Sequence, residues 1–371
     1  MEQAPQRVNS KTFRPEFSTR RRVLSILPLL ASGKVLGKSR TPSPARNSPG
    51  SLDKVEGLIT PVEAFFVRDH FEEPDLSLAD WRLSVEGHVD RPFEIGFSEL
   101  LLAPTIQRQA TLECAGNGSP GFAVSTGLWA GVPLSYLLRA AGLRPDASTV
   151  MLQGFDEGLL FDSAQRGPYT RLVPLADCLA PEAMVAYEVN RQFLARRNGF
   201  PARVVLPGWY AMNSVKWLRR ILVLRRGERP AAFVDSGMDQ LYVRVLQGQT
   251  IAQRLGRLQL KSAIAFPADG ALLPAGVHKI WGFAWASDSP VRGVVVSTEG
   301  GKSWQSARIE SPADRFTWTR WSFDWNAAPG RYTLLSRAED ESGALQPLLR
   351  DPHRVDSYEV NQCARLNCSV L

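Results

Sequence analysis

Two kinds of hydrophobic pattern follow one another along the chain. Between about Leu58 and Val245 the periods are mixed. WRLSVEGHV (81–89) alternates apolar and polar positions as a half-buried strand does. PLSYLLRAAGL (133–143) repeats apolar residues at helical spacing before a glycine stop, and VKWLRRILVL (215–224) returns to strand. After about Gly256 the text becomes short alternating segments separated by turn residues: KSAIAFPADGALL, HKIWGFAWAS, VRGVVVSTEGGKSW, QSARIES, FTWTRWSFDW and GRYTLLSRAEDESG. This predicts an α+β domain over 52–250, mixed α/β in character and rich in loops. It predicts an immunoglobulin-like β-sandwich over 256–371. Six tryptophans fall in the second half (Trp281, Trp285, Trp304, Trp318, Trp321 and Trp325) and are expected between its sheets. No G-x-G-x-x-G follows a strand, so a dinucleotide site of that kind is unsupported.

Composition and charge sharpen this picture. At 371 residues, with 44% apolar and 22% charged residues, the chain can bury two cores. The formal charge of +7 sits in residues 1–40, which hold nine basic and two acidic side chains; the remainder carries 35 of each sign. The body is therefore neutral and lacks the basic footprint of a nucleic-acid-binding protein. In the leader STRRRVLSILPLLASGKVLG, an arginine cluster precedes an apolar run too short to span a bilayer. Thr19-Arg20-Arg21-Arg22-Val23-Leu24 resembles the twin-arginine export signal, which implies a periplasmic protein exported already folded. RTPSPARNSPGS (40–51) reads as a Pro/Ser linker, so residues 1–51 are expected to be signal and linker.

The stretch TLECAGNGSPGF (111–122) carries the candidate chemistry. A cysteine, one of only four, stands at a strand end before a loop containing Gly116, Gly118 and Gly121. A lone cysteine is more often a buried core residue. The rest of the chain weighs against that reading here.

Over roughly residues 55–371 the chain resembles the sulfite oxidase family of molybdenum enzymes. Leu112-Glu113-Cys114-Ala115-Gly116-Asn117 is similar to the family's L-x-C-A-G-N motif. FFVRDH resembles its aromatic-x-x-Arg-x-His segment, and GFD (154–156) its Gly-x-Asp. AYEVN, NGFPARVVLPGW and SVKWL resemble the stretches that build and close the cofactor's phosphate site, and the Trp-rich tail resembles its dimerisation domain. The resemblance implies a molybdenum–molybdopterin cofactor whose metal takes one protein thiolate, a soft ligand suited to it. Cys114 is the candidate ligand, since Cys178, Cys363 and Cys368 lie outside glycine-rich loops. Arg203, Lys216 and Ser214 are implied at the phosphate. His70, Asp156 and Asn198 are implied at the pterin and Arg68 is implied at the cofactor as well as the substrate, although family members usually carry histidine at the position of Asn198. His88, His278 and His353 read as structural or solvated. The chain has no C-x-x-C-H and no recognisable haem-binding segment, so no haem is expected in it. Electrons would then pass to an external acceptor such as a cytochrome c, and the dimerisation domain implies a homodimer.

The substrate side departs from the family pattern. Of three arginines that face the substrate in sulfite oxidases, Arg68 matches one; Ser119 and Asp356 stand at the other two positions, with Arg350 and Arg354 close enough in sequence to compensate. Tyr242, with Tyr210 as the alternative, is expected to face the metal. The implied activity is oxygen-atom transfer on a small substrate, sulfite or another sulfur compound, with sulfite itself bound less well. A cofactor-free binding or structural protein is the alternative from another class.

Overall fold

The computed structural model describes residues 48, 50, 52–119, 121–159, 166–235, 237, 238, 240–248, 253–311 and 314–371. Apart from Ser48 and Gly50, the expected signal and linker lie outside the described residues. Among the described residues, twelve strands precede residue 256: β1 Arg82–Gly87, β2 Phe93–Gly96, β3 Ile106–Glu113, β4 Val124–Pro133, β5 Ala147–Gly158, β6 Gly167–Pro174, β7 Met184–Val189, β8 Gln192–Phe193, β9 Arg203–Val205, β10 Leu218–Arg225, β11 Val243–Arg244 and β12 Gln253–Arg254. They form one sheet of order β2-β1-β10-β5-β6, a second of order β3-β4-β7-β8 with β9 also on β7, and the small pair β11-β12.

The α+β expectation overstates the helix. Among the described residues α-helix is confined to α1 Phe97–Leu102, α2 Leu134–Ala141, α3 Leu175–Cys178 and α4 Ala231–Asp235. All four are under three turns long, too short to stand without tertiary support. Only α2 matches a helix read from the sequence. It buries Leu134, Leu137, Leu138 and Ala141 along one face and ends at Gly142, whose φ of 71° is the left-handed cap that glycine adopts freely. In β1 the alternation sends Leu83 and Val85 inward, as its pattern predicts. β4 is buried on both faces, and at Gly131 a side chain would run into the carbonyl of Val185 on β7.

The second half contains β13 Lys261–Phe266, β14 Ala271–Leu273, β15 Gly276–Trp285, β16 Val291–Ser297, β17 Gln305–Ser306, β18 Arg308–Ile309, β19 Thr319–Ala327, β20 Gly330–Asp340 and β21 Leu366–Val370. These make two sheets, β13-β15-β19-β18 and β14-β21-β20-β16-β17, enclosing a core of Ile264, Ile280, Val294, Val296, Trp321, Trp325, Leu334 and Leu366.

The tryptophans correct an expectation. Trp321 and Trp325 lie in the core between the two sheets, whereas Trp285 and Trp318 belong to the core of the first domain, and Trp281 and Trp304 are only half-buried. Trp318 stacks on Phe283 with ring centroids 4.2 Å apart and donates its indole N–H to the Leu58 carbonyl at 2.8 Å. Aromatic residues written into the second domain thus close the first. After β20 the chain returns to the first domain, where the Val355 amide bonds the Val245 carbonyl and the Glu359 amide bonds the Ala115 carbonyl.

Candidate active site

Cys114 is the first residue beyond β3, at the head of a tight loop. Its amide bonds the Ala123 carbonyl and its carbonyl accepts the Asn117 amide, both at 2.9 Å. The Asn117 side chain closes the loop by accepting the Ala123 amide at 3.0 Å. A side chain at Gly121 would collide with Asn117 Oδ1 and the Gly118 carbonyl, so this loop closes only on glycine. That answers why the cysteine is followed by glycines: they turn the chain back and leave the thiol at a cavity.

The cavity lining includes Arg68, His70, Cys114, Asp156, Asn198, Arg203, Ser214, Lys216 and Tyr242. The segment before β1 supplies Arg68 and His70, the end of β5 supplies Asp156, and a single 3-10 turn supplies Asn198. Arg203 opens β9, and Ser214 and Lys216 lie on the approach to β10. Residues scattered over 175 positions of sequence are brought to one concavity. Tyr210, the alternative to Tyr242, is absent from this lining; it is buried, and its amide bonds the Gly256 carbonyl.

At one end the site is cationic. Arg203 is buried; its guanidinium bonds the carbonyls of Asn198 at 3.1 Å and Ser214 at 2.8 Å, clamping two lining loops together. Burial lowers its pKa to about 10. Lys216 is ion-paired with Asp69 and donates to the Arg197 carbonyl at 3.1 Å. Asp69 lies inside the FFVRDH motif, where the sequence reading took it for a spacer. Ser214 Oγ accepts the Leu206 amide at 3.1 Å, which leaves its hydroxyl proton for a ligand.

Along the middle, Asp156 Oδ1 and Asn198 Oδ1 are buried without a hydrogen-bond partner among the described residues. Burial, against the pull of Lys216, raises the Asp156 carboxyl to about 7. At the other end His70 Nε2 meets the Tyr242 hydroxyl at 2.7 Å and its ring packs on Tyr169 at 5.1 Å. Burial, then Arg68, Arg171 and Lys216, hold His70 near 4, so the ring is neutral at physiological pH. Tyr242 is buried, sits at φ 56° and packs against Tyr358 with centroids 5.2 Å apart. Burial raises the Cys114 thiol, so binding a metal there would release a proton.

The missing substrate arginines are not replaced by their neighbours. Arg354 is committed to Asp356 at 2.7 Å and Glu359 at 3.1 Å, and Arg350 bonds the Asp356 carbonyl. Burial works against ionisation of Asp356, but hydrogen bonds from Arg354 and the amides of Val245 and Tyr358 hold it at about 2. Ser119 is exposed and lies outside the cavity lining. The sequence reading did miss Arg171, on β6. It is 1% exposed, bonds Asn213 Oδ1 at 3.2 Å and stands 5.0 Å from the Tyr242 ring centroid. Among the described residues no carboxylate is in salt-bridge contact with it. A charge in the otherwise apolar strand text of TRLVPL was the available signal.

These side chains fit a molybdopterin. The two orphaned carbonyl-type oxygens await donors, a pterin edge is rich in them, and the cationic end suits its phosphate. Among the described residues no three His, Cys, Asp or Glu side chains gather as a metal site. A metal here would have to bring most of its ligands with it, as a dithiolene cofactor does.

Comparison with known proteins agrees. Residues 70–231 match the oxidoreductase molybdopterin binding domain, and residues 253–358 match the Mo-co oxidoreductase dimerisation domain. Sulfite oxidase of Gallus gallus is 32% identical over 323 residues, 79% of this chain and 69% of that one. Mitochondrial sulfite oxidase of Mus musculus is 31% identical; the match covers 83% of this chain and spans 60% of the mouse protein. Among solved structures, the sulfane dehydrogenase SoxCD of Paracoccus pantotrophus superposes with a TM-score of 0.76 at 28% identity, covering 95% of this chain and 94% of that one. No helix among the described residues is long and apolar enough to cross a membrane. With cavity, cysteine loop and both domains in agreement, the chain belongs to the sulfite oxidase family and is a molybdopterin-dependent oxidoreductase.

Proposed function

We propose that the protein oxidises a small sulfur compound less anionic than sulfite and passes the electrons to an external acceptor such as a cytochrome c. One observation carries the substrate reading: of Arg68, Arg350 and Arg354, only Arg68 lines the cavity, while Arg350 and Arg354 are tied to acidic groups. Sulfane sulfur, named for the SoxCD relative, fits this description better than a dianion does. Losing an anion-pairing guanidinium from a desolvated site removes charge-assisted hydrogen bonds that serine cannot supply.

Each residue then has a task. Cys114 supplies the thiolate ligand. Arg203, Lys216 and Ser214 hold the phosphate, while His70, Asp156 and Asn198 bond the pterin. When bound, the cofactor supplies two-electron oxygen-atom transfer with water as the oxygen source. Arg68 orients the substrate's negative end. Tyr242, locked by His70 and Tyr358, walls the reacting space and excludes water, and His70 stays neutral as its hydrogen-bond partner. We further propose a periplasmic location reached through the Arg20–Arg21 signal. The second domain would be an immunoglobulin-like sandwich that joins two copies of the chain.

The deciding experiment is steady-state kinetics of purified protein with sulfite and with a sulfane-sulfur compound, alongside molybdenum analysis. About one molybdenum per chain is expected, with a high KM for sulfite and a preference for the less charged compound. Cys114→Ser should abolish turnover while leaving the pterin bound. A KM for sulfite in the low micromolar range would overturn the substrate reading, and full activity in Cys114→Ser would overturn the ligand.

A further inference from the structure

Behind the cysteine loop, on the side away from the cavity, lies a buried ion pair that the proposed reaction does not use. Glu113, the last residue of β3, and Lys261, the first of β13, are 2% and 3% exposed. Lys261 Nζ meets Glu113 Oε1 at 3.1 Å, the Gly118 carbonyl at 3.1 Å and the Asn117 carbonyl at 3.3 Å, matching its three protons with three acceptors. Glu113 Oε1 also accepts Asn117 Nδ2 at 2.9 Å, and its Oε2 accepts the indole N–H of Trp285 at 2.8 Å. Lys261 and Trp285 face each other across the β13–β15 ladder. One cross-strand pair of the second domain therefore grips the residue before Cys114 and the turn after it.

A buried ion pair of this kind is poor value as a stabiliser. Taking both charges out of water costs several kcal/mol each, and well-packed apolar residues often serve as well. Its place points to another use. An unopposed carboxylate here would put a full negative charge one residue from the thiolate, in a low-dielectric setting where such a charge acts strongly.

We propose that Lys261 and Trp285 are positioning residues for the molybdenum ligand: they fix the Cys114 loop, and the Glu113–Lys261 pair keeps the charge behind the thiolate balanced, which sets the metal's redox potential. The second domain is then part of the redox site as well as a module for association. The inference rests on Cys114 being the ligand, as proposed above.

The test is an EPR-monitored redox titration of the molybdenum in the full-length holoenzyme at pH 8, with molybdenum content checked for every variant. Glu113→Gln leaves the lysine's positive charge and should raise the midpoint potential. Lys261→Met leaves the carboxylate and should lower it. The double variant should return towards wild type, and Lys261→Arg should hold the wild-type value. A staple that only stabilises the fold would move both single variants in the same direction or move neither, and either result overturns the proposal. If a charge-removing variant does not fold, Trp285→Phe decides. It removes one donor to Glu113 and keeps an aromatic ring in the core, so a downward shift supports the proposal and an unchanged potential overturns it. Cys114→Ser is the separate control: an unaltered EPR spectrum there would refute the ligand assignment itself, whatever Lys261 does.

Discussion

Asp156 offers a prediction that separates the needs of the fold from those of the cofactor. Its carboxyl is buried, Oδ1 has no partner, and burial raises its pKa from 3.8 to about 7. At about 1.4 kcal/mol per pH unit, ionising it inside the cofactor-free fold costs about 4 kcal/mol more than in the unfolded chain. Because the folded value is raised, the stability linked to this group is whole below pH 3.8. It falls as pH rises and is lost by about pH 7. Asp156→Asn keeps the shape and removes the ionisation. In protein purified from cells unable to make the cofactor, scanning calorimetry should show the variant close to wild type near pH 4. Its advantage should grow by several degrees towards pH 8. The same substitution should weaken cofactor retention, because the amide cannot accept the pterin's donors at both oxygen positions. A stability difference independent of pH would refute the reasoning, since the carboxyl would then titrate alike in the folded and unfolded states.

Arg68→Met should raise KM for an anionic sulfur substrate at least tenfold, about 1.4 kcal/mol, with a smaller effect on kcat; equal falls in kcat and kcat/KM would mean that the arginine acts in the chemical step. Ser119→Arg should leave KM for sulfite unchanged in steady-state kinetics, because Ser119 is exposed and outside the cavity lining; a tenfold fall, about 1.4 kcal/mol, would mean that the loop turns the new guanidinium into the cavity. Trp318→Ala removes the stack on Phe283 and the bond to Leu58, so urea denaturation should show a loss of about 3–5 kcal/mol; a loss under about 1 kcal/mol would mean that the domain junction repacks around the gap.

Much of the site was legible because its parts are local. The Cys114 loop is made by glycines a few residues away, and FFVRDH, GFD and SVKWL are short strings whose resemblance to the family's motifs implies their chemistry. All eight residues assigned to the cofactor line one cavity, and so does Tyr242. The fold was legible where period and burial agree, as in α2, β1 and the strands of the second half. The short helices α1, α3 and α4 carry no periodicity long enough to read, so α2 was the only helix legible in the sequence. Asp69 and Arg171 escaped notice because neither stands out until Lys216 and Tyr242 are placed beside them, from 147 and 71 positions away. Local alternation and turn chemistry thus determined the elements and the cysteine loop, and the resemblance of short motifs to the sulfite oxidase family implied the class of cofactor. Only the tertiary structure decided that Trp285, Trp318 and Lys261 of the second domain serve the first, and that Arg350 and Arg354 are spent on Asp356 and Glu359. The reason is physical: a side chain's type fixes what it can bond, but its burial and partner depend on chain segments whose meeting no local pattern encodes.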